Sequence, residues 1–175
     1  MNMIETAIRK FAQLLAFIAG ISLALMMIQT VVDVLMNNFL GRPIEGNLEI
    51  ISVYHMVLVV FLPLALVELR HEHISADLFV RLLPAGAQKA IYCLGALVSA
   101  TFFGILMWQT WLDALKSLSI NEVVMGSIYI VVWPAKFALP IGFLAITLVF
   151  LLHAWKAMTD PDFESSPSEP DTENL

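Results

Sequence analysis

The chain has 175 residues, of which 59% are hydrophobic and 14% charged, and its mean hydropathy is +0.84. A soluble fold of this size leaves too much of its surface in water to hide that much apolar area, so a water-soluble enzyme is excluded. The net charge of −6 also excludes a nucleic-acid partner, which would need clustered Lys and Arg.

Taken in chain order, four long stretches lack Asp, Glu, Lys and Arg. They are residues 11–32, 50–67, 90–112 and 137–155, with His55 inside the second and His153 near the end of the fourth. A helix rises about 1.5 Å per residue, so each stretch is long enough to cross a hydrocarbon core of about 30 Å. None alternates with period two, which argues against a β-barrel. The expected fold is an all-α integral membrane protein. It has four transmembrane helices and a short amphipathic interfacial helix between spans two and three. The first stretch, preceded by Arg9 and Lys10, exceeds the apolar region of a signal peptide and is read as an uncleaved span.

Within span one, Ala16, Gly20 and Ala24 recur every four residues, as do Gln29, Asp33 and Asn37 towards its end. The small residues mark a plausible helix contact. Asp33 is read as an interfacial residue that meets water or Arg42. Pro63 in span two removes a helical donor from the carbonyl of Val59 and is expected to kink the helix; Pro140 is expected to do the same for Lys136 in span four. After span two, residues 77–83 (DLFVRLL) put Leu78, Phe79 and Leu82 on one face. Ser75 can cap this helix, Asp77 suits its N-terminal dipole and Pro84 closes it. Ala96, Ala100 and Gly104 in span three, and Ala138 and Gly142 in span four, repeat the small-residue spacing. Residues 113–127 mix charged and apolar positions and are read as a turn or short helix between spans three and four. Cys93 lies in an apolar run and is read as a small buried hydrophobe.

Residues 160–175 hold six acids, three prolines and no base. That composition predicts a disordered acidic tail, so the chain divides into a membrane domain, 1–158, and a tail, 159–175. Six bases (Arg9, Lys10, Arg70, Arg81, Lys89, Lys156) fall on the side of the N-terminus, second loop and C-terminus; three (Arg42, Lys116, Lys136) fall opposite. The excess places both termini in the cytoplasm.

No sequence feature carries enzyme chemistry. His71 and His73 are spaced as HEH, unlike the HExxH that puts two imidazoles on one helix face, so no metal site is expected. His55 and His153 fall on opposite sides of the membrane, which disfavours a shared haem. No phosphate loop, nucleophile elbow, paired catalytic acids or inverted repeat is legible, and no cofactor is expected.

The segment LALVELRHEHISADLF, with Arg70, His73, Ile74 and Asp77, resembles the corresponding turn in the small membrane subunit of TRAP (tripartite ATP-independent periplasmic) transporters, the DctQ-like family. Glu49 after the short Arg-Pro loop GRPIEGNLE, and Trp133, Pro134, Pro140 and Gly142 in WPAKFALPIGF, look like the same family. The resemblance covers nearly all of residues 5–157. It departs at His71-Glu72, which replaces an Arg/Gly-rich pair. The resemblance implies a multi-pass protein of the bacterial inner membrane that braces a larger membrane subunit. That subunit would carry the sodium and substrate sites, with a periplasmic substrate-binding protein supplying an organic acid (a dicarboxylate, sugar acid or sialic acid). Membrane lipids are the remaining partner. Glu49, Arg70, His73, Asp77, Trp133 and Pro134 are the candidate interface or structural residues. The competing reading is a four-helix haem or quinone anchor of a respiratory enzyme, and a third is a small homodimeric exporter.

Overall fold

The computed structural model describes residues 3–70 and 85–159. The proposed interfacial helix at 77–83, together with His73, Asp77 and the acidic tail, lies outside the described residues.

The first span is α1 (Met3–Leu40), a 38-residue helix. At about 57 Å it is far longer than a hydrocarbon core. Its buried seam is Ala12, Leu15, Ala19 and Ser22. The Ala16–Gly20–Ala24 face lies beside this seam, not on it: Gly20 has nothing within 4 Å, and Ala24 is exposed. Small residues at a four-residue spacing mark where a backbone can approach, not which of two neighbouring stripes is used.

The second span runs from Asn47 to Leu69 in pieces. It comprises α2 (Asn47–Ile50), a π-helical turn (Ile51–His55), α3 (Met56–Phe61) and α4 (Leu64–Leu69). The break between α3 and α4 falls at Pro63, as the sequence predicts. The N–H groups of Leu66 and Val67 then turn to the Pro63 carbonyl at 2.9 and 3.1 Å, which restarts the helix. The π turn is a feature the sequence did not announce. In it the Met56 N–H bonds the Ile51 carbonyl five residues back. Its last residue, His55, lies with Nδ1 2.9 Å from the Ser22 hydroxyl of α1.

The third span is α5 (Ala85–Ser119), and the fourth is α6 (Trp133–Lys136) followed by α7 (Ala138–Thr159). Phe137 separates α6 from α7. The interruption falls where the sequence predicts, between Lys136, whose carbonyl Pro140 leaves without a helical donor, and Pro140 in the first turn of α7.

Between α5 and α6 the expected turn or short helix is instead a β-hairpin. Strand β1 (Val123–Met125) pairs antiparallel with β2 (Tyr129–Val131) in the register Val123↔Val131, Val124↔Ile130 and Met125↔Tyr129. β-Branched residues flank Gly126-Ser127, and this favours the pleated form. Asn121, with φ +46°, reverses the chain out of α5. The Val132 N–H then closes on the Glu122 carbonyl at 2.9 Å.

The four spans alternate in direction. Half of the most apolar window of the fourth is buried, against 22% at most in the others, so α7 is the central helix. The core is built largely from small side chains: Ala12, Ala19, Ala65, Ala138 and Ala145 surround Leu15, Leu62, Ile146 and Val149. Without a hydrophobic drive between helices inside lipid, close backbone approach is what holds them. Ala96 and Ala100 of α5 are buried, and Gly104 faces Thr147, as the spacing predicts. Phe103 stacks on Phe150 with centroids 5.7 Å apart, and Phe61 meets the edge of Phe143 at 5.4 Å.

Candidate functional site

Polar groups collect at the two ends of the bundle. At the end away from the start of α1, two chain reversals lock together. Asp33 of α1 accepts the Ile44 N–H at 2.6 Å, which pins the loop into span two and accounts for a carboxylate near the membrane. Gly46 then turns at φ +76°, and the Ile128 side chain of the hairpin lies where a Cβ would project. One turn on, Glu49 reaches across to the hairpin and accepts the Ser127 N–H through Oε1 at 2.7 Å. Gly126 gives that carboxylate room, since a Cβ there would meet it. The Tyr54 hydroxyl donates to the Val131 carbonyl. Thus the hairpin is tied to span two at its tip and at its base.

The base of the hairpin has its own anchor. Lys136 donates to Glu122 and holds that carboxyl below its usual range. A carboxyl lowered by folding adds stability that is fully present above its unfolded value, 4.5, and lost as pH falls through the lower folded value. A fluorophore on Met125→Cys in a Cys93→Ser background should therefore gain mobility below pH 4.5. Glu122→Gln should reduce that response, leaving only what the second carboxylate that holds the hairpin, Glu49 at its tip, contributes; an unchanged acid response in the variant would place the trigger elsewhere.

Trp133 and Pro134 open α6, Pro134 in the first turn where a proline fits. Trp133 and Trp111 each meet Phe137 edge-on, at 6.4 and 5.8 Å, joining α5 to the start of the fourth span. Of the six sequence candidates, Glu49, Trp133 and Pro134 therefore belong to this end of the bundle. Arg70 ends α4 at the other, its N–H on the Leu66 carbonyl at 3.1 Å. His73 and Asp77 lie outside the described residues.

The terminal end, where α1 starts and α7 finishes, holds contacts between residues far apart in the chain. Glu5 accepts from Lys156 at 2.6 Å and lies 3.6 Å from Arg9. Glu68 of α4 lies 3.5 Å from Nδ1 of the buried His153, whose ring tilts towards Tyr92 at 6.4 Å. His55 and Glu68 are thirteen residues apart along span two. That puts about 20 Å between His55 and the level of His153. The two imidazoles cannot serve one haem iron.

The family model for tripartite ATP-independent periplasmic transporters, DctQ component, matches residues 26–160. The chain belongs to that family. The match starts part-way along α1 and takes in every later element, hairpin included. No curated protein matches, nor does any solved structure. As a DctQ-family chain the protein is a small permease component of a tripartite transporter, a multi-pass membrane protein that works beside partner subunits.

Proposed function

We propose that this DctQ-family chain is the scaffold for a larger membrane subunit in a sodium-coupled, binding-protein-dependent importer of an organic acid of the dicarboxylate, sugar acid or sialic acid class. It sits in a bacterial inner membrane with both termini in the cytoplasm, and it is not an enzyme. The large subunit carries the ion and substrate sites, and a periplasmic binding protein delivers the substrate. The observation behind this reading is the economy of α1, a 38-residue helix that buries only Ala12, Leu15, Ala19 and Ser22 in its own fold. Phe17, Met27, Ile28 and Val31 stay exposed along it. A helix so long and so little used by its own bundle suits a surface offered to another membrane chain. The tying of loop to hairpin through Glu49, and of α5 to α6 around Trp133 and Pro134, suits a frame that keeps its shape while a partner moves. Arg70, His73 and Asp77 belong to the part of the chain that this reading assigns to contact with the large subunit on the cytoplasmic side.

Liposome reconstitution tests this. The chain alone should take up no labelled organic acid under an inward sodium gradient, and the chain with the large subunit and the binding protein should. Uptake by the chain alone, or full uptake by the large subunit and binding protein without it, would overturn the scaffold assignment.

A further inference from the structure

Glu49 and Tyr54 are five residues apart, and both reach the hairpin. Glu49 accepts the Ser127 N–H at its tip, and the Tyr54 hydroxyl donates to the Val131 carbonyl at its base. In an α-helix, residues five apart point about 140° away from each other. These two share a side because the π turn Ile51–His55 begins between them, and its bond from Met56 back to Ile51 makes five residues about one turn. An isolated π turn is rare beside the α-helix, so its neighbours must hold it. Two sets of contacts meet there. The hairpin fixes the register of α2, with Asn47 and Ile51 buried. The bundle fixes the register of α3 and α4: His55 meets the Ser22 hydroxyl at 2.9 Å, Phe61 lies against Gly142, and Leu62 and Ala65 are in the core. The π turn takes up the one residue by which the two registers differ.

Were the turn to close into α-helix with the bundle contacts kept, α2 would rotate by one residue, about 100°, and each of its residues would take the place of the one before it. Leu48 would enter the buried place of Asn47, and Ser52 that of Ile51. These exchanges oppose each other. Asn47 is 5% exposed and, among the described residues, its side-chain oxygen has no hydrogen-bond partner, whereas Leu48 is 77% exposed. The first exchange takes a buried amide out and puts an apolar side chain in, which is favourable. The second replaces a buried isoleucine by a serine, which is not. With gain set against loss inside the helix, the tie to the hairpin is left to decide. We propose that span two is a two-register element. While the hairpin holds Glu49 the π turn is kept; when the hairpin lets go, the turn closes into α-helix and α2 rotates about the contacts made by His55 and Phe61. A contact that pulls on the hairpin is thereby passed into span two as a rotation.

The full-length chain with Cys93→Ser is given one thiol, by Leu48→Cys or by Ile51→Cys, and its rate of maleimide labelling is measured in detergent. With Glu49 in place the thiol at position 48 should react faster than the thiol at position 51, since Leu48 is exposed and Ile51 buried. Glu49→Ala should reverse that order. Glu49→Gln, which keeps an acceptor for the Ser127 N–H, should not. Gly126→Val reaches the same tie from the hairpin side, because a Cβ there meets the Glu49 carboxylate, and it should also reverse the order. Deleting Ser52, an exposed residue of the turn, removes the surplus residue. In that background position 48 should stay the faster whether residue 49 is Glu or Ala. Unchanged order in Glu49→Ala and Gly126→Val, with both rates steady or rising together, would mean that the hairpin only detaches, and would overturn the proposal. So would a reversal that persists without Ser52. None of these readouts depends on uptake or on another subunit, so they stand apart from the transport assignment.

Discussion

Gly142→Leu should be the most damaging single substitution within the described bundle. Gly142 lies in α7 against the backbone of Phe61, and a Cβ built on it would come within 2.9 Å of the Phe61 carbonyl carbon and closer still to its oxygen. Backbone cannot swing aside as a side chain can. Phe61 is also the last residue of α3 before the Pro63 break, and its ring meets Phe143 next door. Separating the helices to admit a leucine would open the packing around Leu62, Ala145 and Ile146 as well. The expected loss is about 3 kcal/mol or more, the upper end for overpacking. It should appear as a lowered thermal midpoint in detergent for Gly142→Ala and as failure to recover folded Gly142→Leu. Gly20→Leu is the control, because Gly20 meets nothing within 4 Å and its substitution should stay within about 0.5 kcal/mol. Equal behaviour of the two leucine variants would mean that α3 and α7 do not approach as described.

The contrast between these two glycines shows how far the sequence could be read. Hydropathy alone places four spans, because backbone hydrogen bonding in lipid leaves a long apolar segment little choice but helix. Pro63 breaks its helix for a purely local reason, and it does so where expected. Pro140 acts by the same local rule: the first helix of span four ends at Lys136, the residue whose carbonyl it leaves without a donor. The facing small residues of α5 and α7 were legible, while the contact stripe of α1 was displaced by one position from Ala16 and Gly20. Nothing in a single chain says which side of a helix its neighbours occupy.

The hairpin and the polar ties were harder to read for a different reason. Val123 to Val131 is short, and reading residues 113–127 as one unit cut the hairpin at its tip and hid the β-branched residues on both sides of Gly126-Ser127. Glu49 was singled out by family resemblance, yet its partner Ser127 is 78 residues away. Glu5 and Lys156 are separated by 151. Such pairs exist only after the spans have been set side by side, so no local spacing marks them. The family match from residue 26 to residue 160 agrees with the resemblance that the motifs suggest.

His153→Ala should be the second large loss. His153 is 7% exposed on the central helix, and the side chain of Glu68 is 13% exposed, so their 3.5 Å approach takes place away from water. Removing the imidazole takes away the ring beside Tyr92 and the polar atom that Glu68 approaches. Truncating a buried side chain of this size leaves a cavity and costs about 2–5 kcal/mol. Glu68→Gln keeps polar atoms towards His153 and should cost about 1 kcal/mol. The double variant Glu68→Leu with His153→Leu keeps most of the buried volume and should be closer to the parent than His153→Ala is. Thermal unfolding of the parent, His153→Leu, Glu68→Leu and the double variant in one detergent measures the coupling directly. A coupling of about 2 kcal/mol or more would show that α4 and α7 are joined by this pair. Additive losses would show instead that each side chain is held by its own surroundings, and that the joint rests on Ala65 and the small residues packed around it.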